Sequence, residues 1–253
     1  MKIAILLGFF MTSLTVFSQI QIGGETDEPK KEEKKKEAKP EKIKPVNENS
    51  GSTEIFINGN WSATNRNLVK NDNIFGDSIG ERANETGVNA WSFGLGIRTR
   101  IHKYLLFEGG VSYLKNGEQY SFSGTDTSFS YTNNYQYIGM PLKIYFVYGQ
   151  NKLRFQAGVG AIPQMALKFK RTTEYTTTQG DSESGTLKTK IGYNSFVFSF
   201  VANVGAQYEF LPSWSIYLQP EYRVQLTSSY LKANAYKHFG NALGLSFGFV
   251  KTI

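Results

Sequence analysis

From Thr53 to the end of the chain, apolar and polar residues alternate with a period of two, the signature of strands with two unlike faces. In 90–101, Trp91, Phe93, Leu95, Ile97 and Ile101 share one parity, and Ala90, Ser92, Gly94, Gly96, Arg98 and Arg100 share the other. In 104–115, Leu105, Phe107, Val111 and Tyr113 oppose Glu108, Gly110 and Ser112. The same holds for 152–169, where Leu153, Phe155, Val159, Met165 and Leu167 oppose Arg154, Gln156, Gly158, Gln164 and Lys168. It recurs in 193–210, 214–226 and 242–253, where Phe, Leu and Ile alternate with Gly, Ser, Gln, Glu209, Glu221 and Arg223. The run YIGMPLKIYF (137–146) alternates too, although Pro141 and Lys143 stand inside it. Proline removes a ladder hydrogen bond, so a bulge or a lost bond is expected at Pro141, and likewise at Pro163 and Pro220.

The connections alternate in length. Those at 101–103, 149–152 and 211–213 are tight, whereas those at about 65–87, 117–130, 173–189 and 228–238 are long and polar. Short turns at one end and long loops at the other predict an all-β fold: an eight-stranded antiparallel up-and-down transmembrane β-barrel. The two faces fix its sense. The apolar face is rich in Phe, Leu and Ile and carries Trp91, Tyr113, Tyr208 and Trp214 near strand ends, as a lipid-facing wall with interfacial aromatics does. The other face is small, or charged through Arg98, Arg100, Glu108, Lys143, Arg154, Glu209, Glu221 and Arg223. That is too little polar surface for a solvated exterior. It suits a lumen filled by paired charges, since eight strands leave room for little more than side chains. Lys143 is expected beside Glu108.

The hairpin formed by YIGMPLKIYF, a GQNK turn and LRFQAGVGAIPQM resembles that of the PorT-like outer-membrane β-barrel family of Bacteroidota, a porin-like, OmpA-like class of eight-stranded barrels. The resemblance extends over about 53–253. It implies a fold far more than an activity, although some relatives serve secretion and gliding machinery. The last strand, GLSFGF, resembles a terminal barrel strand but is followed by Val250 and then Lys251-Thr252-Ile253, so the chain does not end on an aromatic.

The first residues read as an address. Lys2, an apolar run of about ten residues and Val16-Phe17-Ser18 describe a secretory signal peptide over 1–18, too short for a span of about 20. Residues 19–51 form a Lys/Glu-rich segment broken by Pro29, Pro40 and Pro45, expected to be a disordered periplasmic tether ahead of an outer-membrane barrel at 52–253. The long loops are then extracellular. Between 25 and 48 eight lysines balance eight acids, so the net charge of +7 belongs mainly to the sheet-forming part. No basic stripe interleaved with aromatics appears, which excludes nucleic acid as a partner. A mean hydropathy of −0.35 argues against a helical membrane protein. The absence of cysteine removes disulfides, thiolate chemistry and Cys metal sites.

Little else carries chemistry. His102 falls in a tight turn, and His238 ends the last long loop with Ser228 and Ser229 in its neighbourhood. That constellation is a weak basis for a hydrolase or acyltransferase. The loop NDNIFGDSIGE (71–81) offers oxygen ligands, but Gly76 and Glu81 stand at the wrong offsets from Asp72 for a calcium loop. TTTQGDSESGT (176–186) is polar low-complexity sequence. No catalytic, cofactor-binding or metal-binding residue is therefore assigned, and no cofactor is expected. The expected role is non-enzymatic, structural or accessory, acting through loops, tether or barrel wall. A narrow pore for small solutes is the alternative, and an envelope hydrolase or acyltransferase stands third. The expected partners are outer-membrane lipid and other outer-membrane or periplasmic proteins.

Overall fold

The computed structural model describes residues 51–70, 84–125, 127–149, 152–177, 181–234 and 236–253. The leader at 1–18, the tether up to residue 50 and nearly all of the 71–81 loop's neighbourhood, including that loop itself, lie outside them. Ten strands form among the described residues: β1 (Thr53–Lys70), β2 (Glu85–His102), β3 (Leu105–Ser123), β4 (Thr127–Gly139), β5 (Leu142–Tyr148), β6 (Leu153–Thr177), β7 (Ser182–Thr189), β8 (Phe196–Leu211), β9 (Trp214–Gln225) and β10 (Tyr236–Thr252). All pairings are antiparallel, and β10 returns to β1 over Glu54–Lys70, so the sheet closes. β4 and β5 occupy one place in the ring, between β3 and β6, and among the described residues β7 pairs only with β6, outside it. Ten strands thus make eight ring positions, and the barrel expected from the alternation is present.

The prolines behave in one of the two ways anticipated. At Pro141 the strand breaks into β4 and β5, yet Gly139 opposes Gln164 and Leu142 opposes Ala161, so the register crosses the gap unshifted. The ladder loses the proline's donor, while the Pro141 carbonyl still accepts from Gly110 N at 3.2 Å and Met140 N donates to the Pro163 carbonyl at 2.9 Å. Near Pro220 the β8–β9 pairing skips from Asn203↔Glu221 to Ala206↔Leu218, again in register. A bulge does occur, but elsewhere. Gln136 opposes Lys168 and Tyr137 opposes Ala166, which leaves Leu167 as an extra residue in β6. The bulge inverts the faces beyond it: Lys168 is exposed and Phe169 is buried, so the inward placement expected of Lys168 is wrong.

The faces otherwise fall as the alternation predicts. Ile138, Met140, Leu142, Ile144 and Phe146 are exposed, while Tyr137, Lys143 and Tyr145 are buried. Exposed apolar residues circle the barrel, running on β2 from Trp91 to Ile101. Ten steps of strand tilted by roughly 40° span a band of about 25 Å, the height of a bilayer's apolar layer in such barrels. Trp91, Tyr208 and Trp214 are exposed on this face and Tyr113 is half-buried. At the tight-turn end, the Lys251 ammonium sits 5.2 Å from the Trp214 ring. At the other end Trp61 and Trp91 oppose one another in register. These strand faces are those of a transmembrane barrel.

The loops at the far end are shorter than expected, because the strands run on. β3 and β4 continue to Ser123 and from Thr127, so most of the predicted 117–130 loop is a hairpin, and 173–189 is largely the β6–β7 hairpin. Above the belt both faces of a strand meet water or polar neighbours, and the alternation that marks a strand disappears.

Candidate functional site

Level with the belt, the lumen is filled by charge. The Glu108 carboxylate, on β3, accepts from Arg98 Nε of β2 at 2.7 Å and lies 3.2 Å from Lys143 Nζ of β5. Lys143 reaches on to Glu221 of β9 at 3.3 Å, and Asn60 of β1 donates to the same carboxylate at 3.4 Å. These strands meet here because residues directly opposite across antiparallel pairs share a face: Arg98↔Glu108 and Glu108↔Lys143 are register partners. Arg98 is 1 % exposed and boxed by rings, with its guanidinium carbon 4.4 Å from Tyr217, 4.8 Å from Phe56 and 5.4 Å from Tyr145. Glycine makes the box possible. A Cβ on Gly158 would stand 2.5 Å from the Tyr145 ring, and one on Gly248 2.8 Å from the Tyr217 ring.

Of the eight residues expected in this network, Arg98, Glu108, Lys143 and Glu221 form its centre. Arg154 joins through Glu54 at 3.2 Å, a partner the sequence did not single out. Three depart from expectation. The guanidinium of Arg100, at the tight-turn mouth, donates to the Lys103 carbonyl at 3.1 Å. Glu209 sits at the same mouth and accepts from Ser213 N at 3.3 Å, capping the turn where Ser213 has φ 67°. Arg223 is buried but bonds to Asn116 Oδ1 at 2.9 Å and the Lys115 carbonyl at 3.3 Å, with no carboxylate among its described ion pairs. The common cause is position along the strand. Parity assigns a side chain to the lumen, but only its depth decides whether a carboxylate is within reach.

A second cluster lies beyond the belt, toward the long hairpins. Its centre is Glu118, five residues past Tyr113 on β3. One carboxylate oxygen accepts from Asn133 Nδ2 and from the Tyr135 hydroxyl, each at 2.8 Å, and from Arg66 Nη1 at 3.3 Å. The other lies 3.6 Å from His238 Nε2, too far for a hydrogen bond. Arg66 is also paired with Glu85 and donates to the Tyr131 hydroxyl at 3.3 Å. His238 is 1 % exposed between the rings of Tyr135 and Tyr230, at 4.5 and 5.0 Å. Burial pushes the Glu118 carboxyl up, but His238, Arg66 and Asn133 outweigh it and hold the group below its ordinary 4.5. Burial raises the phenols of Tyr135 and Tyr230. This cluster was not anticipated, since Arg66, Glu85 and Glu118 fall in segments whose polarity reads as loop.

The serines near His238 do not complete a triad. Ser229 Oγ is held by the Tyr137 hydroxyl at 3.0 Å and by Gln225, while Ser228 Oγ accepts from the backbone of Tyr230 and His238, each at 3.0 Å. Neither bonds to the imidazole among the described hydrogen bonds. His102 is the last residue of β2, at the entry to the β2–β3 turn, where its Nδ1 accepts from Tyr104 N at 3.4 Å.

No protein-family model matches the chain, and no curated protein does. Solved structures of similar shape are the attachment invasion locus protein Ail of Yersinia pestis, Neisserial surface protein A and OprG of Pseudomonas aeruginosa. Ail is 14 % identical with a TM-score of 0.33, and the match covers 79 % of this chain and 99 % of Ail. For the Neisserial protein the values are 11 %, 0.37, 78 % and 95 %, and for OprG 11 %, 0.37, 81 % and 98 %. Overlap at this level carries no inference about activity. The closed ring of strand pairings and the outward apolar belt carry the transmembrane barrel by themselves.

Proposed function

We propose that the chain is a non-enzymatic, integral outer-membrane barrel whose interior is structural and whose work is done on its outer surfaces. One observation supports this above the others: two buried, cross-linked clusters, around Glu108 and around Glu118, occupy the lumen at different depths. A conducting path would have to break ion pairs whose partners are then left unpaired at low dielectric. The role is that of a structural or accessory subunit beside other outer-membrane or periplasmic proteins, with the long hairpins outside the cell and the tether in the periplasm. The PorT-like hairpin is consistent with service in an outer-membrane assembly or secretion machinery.

A narrow solute path is the second reading. It is favoured by lumenal amides with an atom that has no protein partner among the described residues, on Gln156, Gln164, Gln207 and Gln219, because such atoms are satisfied by water. Recording from the purified full chain in planar bilayers separates the two. The plugged barrel gives no reproducible steps, whereas Glu108→Ala, which loosens the inner cluster, gives intermittent ones. Steady unitary conductance from the wild type overturns the structural reading.

A further inference from the structure

The barrel wall branches at one place. β6 pairs with β8 up to Met165↔Phe196, and Ala166 N donates to the Ser195 carbonyl at 2.8 Å. From Phe169 upward β6 pairs instead with β7, which lies outside the ring. Between these pairings, at the Leu167 bulge, a cleft opens against Tyr135, Tyr137, Ala166, Phe169 and Tyr193, with Lys168 and Lys190 also lining it. Met165 and Phe196, just below, are exposed members of the apolar belt. The cleft therefore sits where the lipid chains end and the headgroups begin.

Four lysines gather there. Phe169 is buried and Arg171 donates inward to Asn133 at 2.8 Å, so Lys168 and Lys170 take the outward face of β6. Lys188 opposes Lys170 directly across the hairpin, and Lys190 follows the end of β7. Like charges directly opposite across a strand pair destabilise it. Yet none of the four has an ion pair among the described residues, and the outward neighbours on β4, Asn134 and Gln136, are neutral. The hairpin's carboxylates, Glu174, Asp181 and Glu183, stand toward its tip. Ile191, beside Lys190, is 89 % exposed. An uncompensated cationic face, an apolar side chain offered outward and an aromatic cleft at headgroup depth complement one kind of molecule: an anionic amphiphile held in the membrane.

We propose that this branch point binds a phosphate-bearing lipid of the surrounding leaflet, its headgroup on Lys168, Lys170, Lys188 and Lys190 and the upper part of one acyl chain against the cleft. The site rests on the membrane placement of the barrel. A juxtamembrane lysine attracts anionic lipid at short range, and the attraction is screened within a Debye length, so headgroup contact must be direct. The chain contact adds what a free anion cannot supply.

The test uses the full chain, refolded in zwitterionic detergent, mixed with equal amounts of phosphatidylglycerol and phosphatidylcholine, with bound lipid read by native mass spectrometry. The wild type retains phosphatidylglycerol at least about tenfold better, and K168Q/K170Q/K188Q/K190Q loses that preference. Ala166→Phe, which fills the cleft without changing charge, weakens retention, and millimolar inorganic phosphate does not displace the lipid. Equal retention by wild type and the quadruple variant overturns the site. Displacement by phosphate makes it a free-anion site and overturns the lipid assignment, and an unaffected Ala166→Phe overturns the chain's place in the cleft. Heat-modifiable gel migration reports folding. Should the quadruple variant not fold, K188Q/K190Q, outside the ring, must still lower the preference several-fold. Flotation with phosphatidylcholine vesicles separates the two failures. A chain that inserts but shows no preference loses only this site, and one that does not insert loses the membrane placement as well.

Discussion

The two buried clusters of the barrel use carboxylates in opposite ways. At belt depth, Glu108 holds two cations, Arg98 and Lys143, and the surplus positive charge is met by rings and by Glu221. Beyond the belt, Glu118 holds one guanidinium and fills its remaining positions with an amide, a phenol and a histidine edge. The difference follows from the surroundings. Inside the narrow ring, ringed by lipid, charge must be cancelled locally, and strands in fixed register supply opposite signs face to face. Past the belt the wall branches, and Glu118 can use neutral donors because full cancellation is not required.

Removing the central carboxylate of each cluster breaks this comparison most directly. Glu108→Ala takes from Arg98 its carboxylate and leaves Lys143 with Glu221 alone, in a site closed to solvent. Unfolding in urea, followed by tryptophan emission in lipid vesicles, is expected to show a loss of about 3–5 kcal/mol, with Glu108→Gln somewhat milder. A loss below about 1 kcal/mol would mean that water already screens the inner cluster and that the lumen is not closed at that depth.

Glu118→Gln is expected to cost less, about 1–3 kcal/mol, because the amide keeps its shape and an acceptor for Tyr135 while Arg66 keeps Glu85. The ring of strands should survive, so heat-modifiable migration stays normal while near-ultraviolet dichroism from Tyr135 and Tyr230, packed on His238, falls. A cost equal to that of Glu108→Ala would make the two clusters one cooperative unit.

What the sequence made legible follows the same division. That Lys143 and Glu108 share the lumenal face could be read from alternation, because both stand in strands whose opposite face is lipid, whereas their contact comes from the β3–β5 register. Arg100 and Glu209 share that parity but end at the mouth, since alternation gives a face and not a depth. Lys168 was misplaced because the bulge at Leu167 has no glycine or proline to announce it. Arg66 and Glu118 were hidden for the reverse reason: their strands carry polar residues on both faces. A histidine near two serines was visible, but its neighbours are phenol rings and a carboxylate from β3, contributed by strand partners far away in sequence.

The smallest effect separates the clusters by pH. Glu118 faces Arg66, His238, Tyr135 and Tyr230, with Glu85 and Arg171 one contact further out. Its folded carboxyl titrates below the ordinary 4.5. Above that value the group is ionised whether folded or unfolded, and its stabilisation is complete. As the pH falls through 4.5 and then through the lower folded value, the unfolded chain takes up its proton first and the stabilisation is lost. The near-ultraviolet signal of the tyrosine cluster should therefore hold from neutral pH down to about 4.5 and weaken below it, while far-ultraviolet strand dichroism stays unchanged. In Glu118→Gln the acid step should vanish, because nothing at that position remains to be protonated. Should both proteins lose the signal over the same range, protonation of Glu118 is not what loosens the cluster, and its carboxylate is not the acid-sensitive anchor.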